Sequence, residues 1–275
     1  MTTDEGTGTA TFGSTNIEKM PGYVLLARLG KRVLRPGGRE LTREVLSGLN
    51  ITPADHVVEF APGLGATAQL IFRSRPAGYV GVERDEQAAA AFNARIVDSR
   101  YRCIVSSAQN SDLDDGSADV VMGEAMLSMQ SDDNKKRIIA EAHRILRPGG
   151  RYGIHELCLK PEDLDGGIQS QVRGDLSRAI RVGARPMTSP DWRALLEEAG
   201  FEIRHESTVP QRLLEPRRLI QDEGPLRAAR VVCNVLRSPK ARKRIITMRR
   251  TFRRHADHLA AIGIVAVRPW SESWS

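Results

Sequence analysis

Cysteine is scarce in this chain of 275 residues, and the three that occur, Cys103, Cys158 and Cys233, lie far apart. Such spacing argues against a disulfide framework and against a zinc cluster, so no metal is expected and a reducing cytoplasm is the expected compartment. Long apolar runs are missing too. None approaches the roughly 20 residues that a membrane-spanning helix needs, which excludes such helices. The first residues lack a basic start followed by an apolar block. Residues 1–16, rich in Thr, Gly and Ser, predict a disordered tail instead of a signal peptide. What remains is ordinary globular composition, 40% hydrophobic and 27% charged, in a length that suits one medium domain with elaborations.

Charge is plentiful and uneven. The net charge is +7, and between Arg217 and Arg254 thirteen Lys and Arg stand against two acids, Asp222 and Glu223. A block of this kind would attract nucleic acid, anionic lipid or an acidic small substrate, or simply form a solvated helical face. Phe252 is its one aromatic residue, which weakens the case for a platform that stacks single-stranded bases.

Apolar periodicity orders the rest. Val24, Leu25, Leu29 and Val33 predict a helix over 22–34, stopped by Pro36, Gly37 and Gly38; Leu41, Val45, Leu46 and Leu49 predict a second from about Arg39. Strands are expected at 57–61, 79–83, 102–106, 118–122 and 151–159, with helices at 66–74, 85–97 and 134–146 between them. Strands alternating with helices imply a parallel sheet covered on both faces. Residues 161–185 break the rhythm with one helix around 169–182. Thr188, Pro190 and Asp191 then announce a capped helix that Gly200 closes. Strands follow at 201–208 and 259–267, and the roughly 50 residues separating them form an insertion too long for a connection.

Val57 to Ala68 (VVEFAPGLGATA) is the most informative stretch. An apolar run carrying Glu59 breaks at Gly63 and Gly65 into a helix-forming segment, the geometry in which bare backbone approaches a nucleotide-like ligand. Gly63 and Gly65 are free to adopt positive φ. Pro62 should hold Ala61 extended, so that alanine serves where glycine is common. Glu83 lies 20 residues beyond Gly63 at the end of the next apolar strand, where a carboxylate holds a ribose diol in nucleotide-binding α/β folds.

Those stretches, with GVERD at 81–85, LDDGSADVV at 113–121 and LRPGG at 146–150, closely resemble the ordered motifs of class I S-adenosylmethionine-dependent methyltransferases, in the subset that acts on small molecules. The resemblance spans roughly residues 40–160. It implies a doubly wound α/β fold: a seven-stranded, mostly parallel sheet with one antiparallel strand, N-terminal helices and a helical insertion before the last strand. It implies S-adenosyl-L-methionine as cofactor. By position, Glu59 matches the acid that organises the methionine amino end, and Ala61, Gly63 and Gly65 the loop beneath the methionine. Glu83 matches the acid that takes both ribose hydroxyls. Ser107, Ala108 and Gln109 fall where the family often has an Asp-Ala pair at the adenine, so Ser107 departs from the pattern. Glu124 stands where cofactor and substrate meet. An N-terminal segment folds over the cofactor in similar enzymes, and Tyr23 and residues 35–38 are candidates for it, with plain helix packing the alternative. The expected division is 17–50 as lid, 51–160 as cofactor core, and 161–187 and 209–258 as substrate-side insertions.

Methyl transfer asks the protein to align nucleophile, methyl and sulfur, and to supply a base where the nucleophile carries a proton. Glu124 and His155 are the catalytic candidates at strand ends; His155 and Glu156 alternate, so at most one faces the site. His255 and His258 are expected at the surface. Arg173, Arg178, Arg181 and Arg185 either clamp an anionic small-molecule substrate or face water. A nicotinamide-dependent oxidoreductase also fits the glycine pattern, but no Tyr-x-x-x-Lys pair exists. An RNA-binding methyltransferase would use the 217–254 block, yet residues 123–126 read Gly-Glu-Ala-Met where base methylation uses Asn/Asp-Pro-Pro-aromatic.

Overall fold

The computed structural model describes residues 16–211 and 213–270, so the expected N-terminal tail lies outside the described residues except for Asn16. In chain order, α1 (Gly22–Arg28) and α2 (Gly38–Leu49) precede β1 (His56–Phe60), α3 (Ala68–Ile71), β2 (Gly78–Glu83), α4 (Glu86–Asn93) and β3 (Tyr101–Val105). Then come β4 (Ala118–Glu124), α5 (Asp132–Ile145), β5 (Leu146–Leu159), α6 (Gly166–Ile180), β6 (Met187–Thr188) and α7 (Ser189–Glu198). Finally β7 (Glu202–Pro210), α8 (Pro216–Glu223), α9 (Pro225–Arg237) and α10 (Pro239–Arg254) lead into β8 (Leu259–Val267).

The main sheet runs β3-β2-β1-β4-β5-β8-β7. The first five strands are parallel, and β8 is antiparallel to both β5 and β7. That is the expected doubly wound sheet of seven, with one addition: the two-residue β6 pairs with the end of β5. Strand order reverses between β1 and β4, so their C-terminal ends diverge into the crevice where ligands bind in open α/β sheets.

Burial explains the layering. Along β4 and β8 every residue but the last is buried, as central strands of a sheet covered on both faces require. One face of the sheet packs on α5 and α7, with Trp192, Ile139 and Tyr152 at its centre. The other takes α2, α3 and α4. There α2 sits close because two glycines leave it room: a Cβ on Gly263 would stand 2.6 Å from Val45, and one on Gly153 2.8 Å from Leu49. Side-chain caps fix the helix starts, Asp85 for α4, Ser131 for α5, Asp165 for α6 and a Thr188–Asp191 capping box for α7.

Three expectations change. The helix expected over 22–34 ends at Arg28; Gly30, at φ 99°, turns the chain into an extended strap that runs on to Gly37. The helix expected at 66–74 is short, Ala68–Ile71 followed by a 3₁₀ turn. The LRPGG stretch, read as a turn, joins β5 as a bulge: Leu146 pairs with Ala118 and Arg151 with Val120, so the extra residues leave the ladder between them. Among the described residues no helix is long and apolar enough to cross a membrane.

Candidate functional site

The loop after β1 sets the first wall. Ala61 N donates to Val82 O at 2.9 Å, and the chain reverses at once into Pro62. This places Ala61 at φ 51°, left-handed and not extended. The steric rule for a residue before proline disfavours right-handed helix, and the strand hydrogen bond leaves a left-handed reversal as the available path. Gly63 and Gly65 have φ of 53° and 74°, and the two do different work. A Cβ on Gly65 would lie 2.8 Å from the Phe92 ring; one on Gly63 would find nothing nearer than Ala61 O at 3.9 Å. Gly65 therefore packs inward, and Gly63 borders open space.

The acids placed by the sequence sit around this loop. Glu59 is buried, and Tyr79 Oη donates to its Oε2 at 2.7 Å. Burial pushes its carboxyl up to about 8; the tyrosine hydrogen bond works the other way. Glu83, half-buried at the end of β2, accepts from Asp85 N at 3.1 Å. The next turn is bound to that strand, since Ser106 N donates to Glu83 O. In it Ser107 Oγ donates to Gln109 Oε1 at 2.5 Å, and Ala108 packs against the core.

Glu124, at the end of β4, is the hub of a buried network. Its Oε1 accepts from Thr42 Oγ1 at 2.6 Å and lies 2.9 Å from His155 Nδ1. Its Oε2 is bonded by Arg35 Nη1 and Thr67 Oγ1. Burial raises the Glu124 carboxyl, but the Arg35 charge and the His155 and Thr42 contacts outweigh it and hold it at about 2. His155 is fully buried, and its Nε2 meets Pro36 O, an oxygen that only accepts, so that nitrogen carries a hydrogen. Arg35 keeps two buried groups, Nε and Nη2, with no partner. Unpaired guanidinium donors held against Thr67 and Glu124 suit a carboxylate.

Glu156 points to the other side of β5, as strand alternation requires. Its carboxylate accepts from the backbone N–H groups of Met126, Leu127 and Ser128 and from Ser128 Oγ, at 2.7–3.0 Å. The turn after β4 is thereby fixed, and it floors a cavity of about 110 Å³. Tyr23, Leu34, Ile180, Leu214, Met248 and Phe252 are among its walls, contributed by α1, the strap, α6, the segment after β7 and α10. Its lining is almost wholly apolar.

The remaining candidates disperse. Arg173 donates to Pro186 O, Arg178 pairs with Asp175, and Arg181 and Arg185 are exposed, so the four make no clamp. His255 is not at the surface: it is buried, with Nε2 2.8 Å from Asp175, because α10 packs against α6. His258 is half-buried, with Nδ1 3.4 Å from Lys160 O. Thr42 and Thr67 were missed by the sequence reading, and Arg35 entered it only as part of the 35–38 lid candidate, not as a partner of Glu124. A Pro-Gly-Gly stop after an arginine signals a turn, and nothing local shows that the turn carries its arginine to a strand end 89 residues away.

Residues 58–154 match the family described as a methyltransferase domain. An uncharacterized protein of Haemophilus influenzae is 30% identical over 247 residues, covering 88% of this chain and 96% of that one. A 27-O-demethylrifamycin SV methyltransferase of Amycolatopsis mediterranei is 26% identical over 178 residues, 62% of each chain. Among solved structures, a Haemonchus contortus phosphoethanolamine N-methyltransferase in complex with phosphomonomethylethanolamine and S-adenosylhomocysteine superposes with a TM-score of 0.69. The match is 16% identical and covers 90% of this chain and 57% of that chain.

Proposed function

The chain belongs to the class I S-adenosylmethionine-dependent methyltransferase family and uses S-adenosylmethionine as cofactor; on that premise we propose that its acceptor is a small molecule with an apolar end. The observation that carries this reading is the apolar cavity against Ala125 and Glu156, beside the strand ends that bear Glu124 and His155. A cavity of about 110 Å³ compares with one of roughly 150 Å³ that accepts benzene. It suits an aliphatic or aromatic group of a few carbons.

The residues fit the cofactor on three counts. Gly63 leaves open space over the loop, Arg35 presents unpaired buried donors for a carboxylate, and Glu59 offers a buried carboxyl for an ammonium. When bound, the cofactor supplies an activated methyl on a positively charged sulfur. In our proposal Glu59 and Arg35 hold the amino and carboxylate groups of its methionine end, and Ala61, Gly63 and Gly65 form the loop beneath. Glu83 takes the ribose hydroxyls, and the Ser107–Gln109 turn borders the adenine. Glu124 already accepts from Thr42, Arg35 and Thr67, with His155 Nδ1 2.9 Å from its Oε1, so in our proposal its role is to orient Arg35. His155 ties Glu124 to the strap through Pro36. Both act by positioning.

The remaining parts follow from the same reading. Residues 17–50 form the lid and 51–160 hold the cofactor; 161–187 and 209–258 wall the acceptor pocket. All three free cysteines accord with a cytoplasmic location. The deciding experiment incubates pure protein with methyl-labelled cofactor and cell extract split into lipophilic and water-soluble fractions. Label should enter an apolar small molecule. Label found only in RNA, protein or a fully polar metabolite would overturn the assignment.

A further inference from the structure

Outside the pocket, α9 carries a face that none of the described residues covers. Leu226 is 89% exposed, Leu236 57% and Val232 46%. With Ala229 and Cys233, also exposed, they recur at helical spacing on one side of the helix, while Ala228 and Val231 face inward. Arg230 and Arg237 adjoin this stripe. On α10 the outward residues are Arg242, Lys243, Arg250 and Arg253 around Ile246, which is 44% exposed. None of these six cations has an ion pair among the described residues, and no acidic residue occurs between Glu223 and Asp257.

We propose that α9 and α10 dock the enzyme on an anionic phospholipid bilayer, with Leu226, Val232 and Leu236 entering the headgroup boundary and the unpaired Arg and Lys meeting lipid phosphates. An apolar stripe edged by arginine is what an interfacial helix presents to such a surface, and clustered cations are drawn to its negative potential. Charge selects the bilayer over a second copy of this chain, because a symmetric contact would oppose two unpaired cationic faces. Composition selects it over nucleic acid. The exposed stripe is aliphatic, and Phe252, the one aromatic of the block, faces the cavity. Met248 and Phe252 make the inner side of α10 a wall of that cavity, so an acceptor dissolved in the bilayer would reach the pocket past the docked helices. This last step rests on the apolar-acceptor reading; the docking does not.

Flotation of the full chain with vesicles tests it. At physiological salt the protein should float with vesicles of mixed phosphatidylcholine and phosphatidylglycerol and stay behind with phosphatidylcholine alone. The double variant Leu226→Asp, Leu236→Asp should cut binding about tenfold or more with an unchanged circular dichroism spectrum. As both side chains are exposed, folding should be intact; if it is not, Arg242→Gln with Arg250→Gln serves, and should also weaken binding. Absence of flotation with anionic vesicles would overturn docking, as would binding indifferent to the leucine variant. So would an RNA oligonucleotide that displaces the protein from vesicles and binds the leucine variant equally well, or a dimer in solution that this variant dissolves. Label entering an apolar acceptor without flotation would sink the docking alone; flotation with label entering a polar acceptor would sink the acceptor reading alone.

Discussion

Glu59 should make cofactor binding release a proton. Its carboxyl is pushed up to about 8 by burial, so below that pH it is largely neutral in the free protein. The cofactor's amino group is cationic below roughly 8, and it pairs with the carboxylate and not with the acid. The sign then follows: lowering pH favours the protonated free enzyme and weakens binding. At pH 6.5 ionising Glu59 costs about 2 kcal/mol, with about 1.4 kcal/mol per pH unit. Between about pH 6 and 7.5 affinity should therefore climb about tenfold per unit, then level as the ligand's own amine loses its proton. Titration calorimetry at pH 6.5 in two buffers of different ionisation enthalpy counts the protons, and about one per bound cofactor is expected. Glu59→Gln should bind weakly, with that pH slope gone. Zero protons released by the wild type, or the same slope in Glu59→Gln, would refute the reasoning.

Arg35→Ala should lower cofactor affinity by about tenfold or more, since it removes the guanidinium whose free donors would meet the carboxylate; the same titration reads it. Glu124→Gln should cost roughly 3 kcal/mol in denaturant unfolding, because Arg35 would remain buried without its counter-charge. In the wild type Glu124 titrates at about 2, below its unfolded value, so its stabilisation is present above about pH 4.5 and is lost as pH falls toward 2. In a variant that lacks Arg35 this acid-labile part of the stability should shrink or vanish, because burial alone raises the Glu124 carboxyl. Ala61→Gly should raise stability by about 0.5–1 kcal/mol, by relieving a left-handed alanine at a smaller entropic cost, and a calorimetric melt measures it. Gly263→Ala should destabilise by about 1–3 kcal/mol, since its Cβ would meet Val45 at 2.6 Å.

The sheet was readable because its strands are short apolar runs with turn chemistry between them. β1, β2 and β8 lie within a residue or so of their expected bounds. Glu59, Gly63, Gly65 and Glu83 could be found because strand, turn and strand place them locally. Glu124 and His155 were found by their places at strand ends, but the bonds from Arg35, Thr42 and Thr67 were not: these residues lie 57 to 89 positions away, and only packing brings them to Glu124. Ala61 was misjudged because a rule about proline excludes one conformation without choosing among the rest. His255 was misjudged because i, i+3 spacing says nothing of what packs on the helix; Asp175 does. The apolar cavity has no signature in the chain, since its walls come from segments spread between Gly22 and Phe252.

The strap between α1 and α2 has a consequence for synthesis. Glu223 Oε1 accepts from Arg32 N and Val33 N at 2.7 and 2.8 Å, and Lys31 Nζ is buried 3.9 Å from Asp222 and 4.0 Å from Glu223. Arg35 therefore gains its final anchorage from residues made nearly two hundred positions later. A ribosome-bound chain that has completed β1 to β5 holds Glu124 at its strand end while the arginine's tether still lacks its mooring. Binding competence should arrive late and abruptly during translation, once α8 has left the exit tunnel.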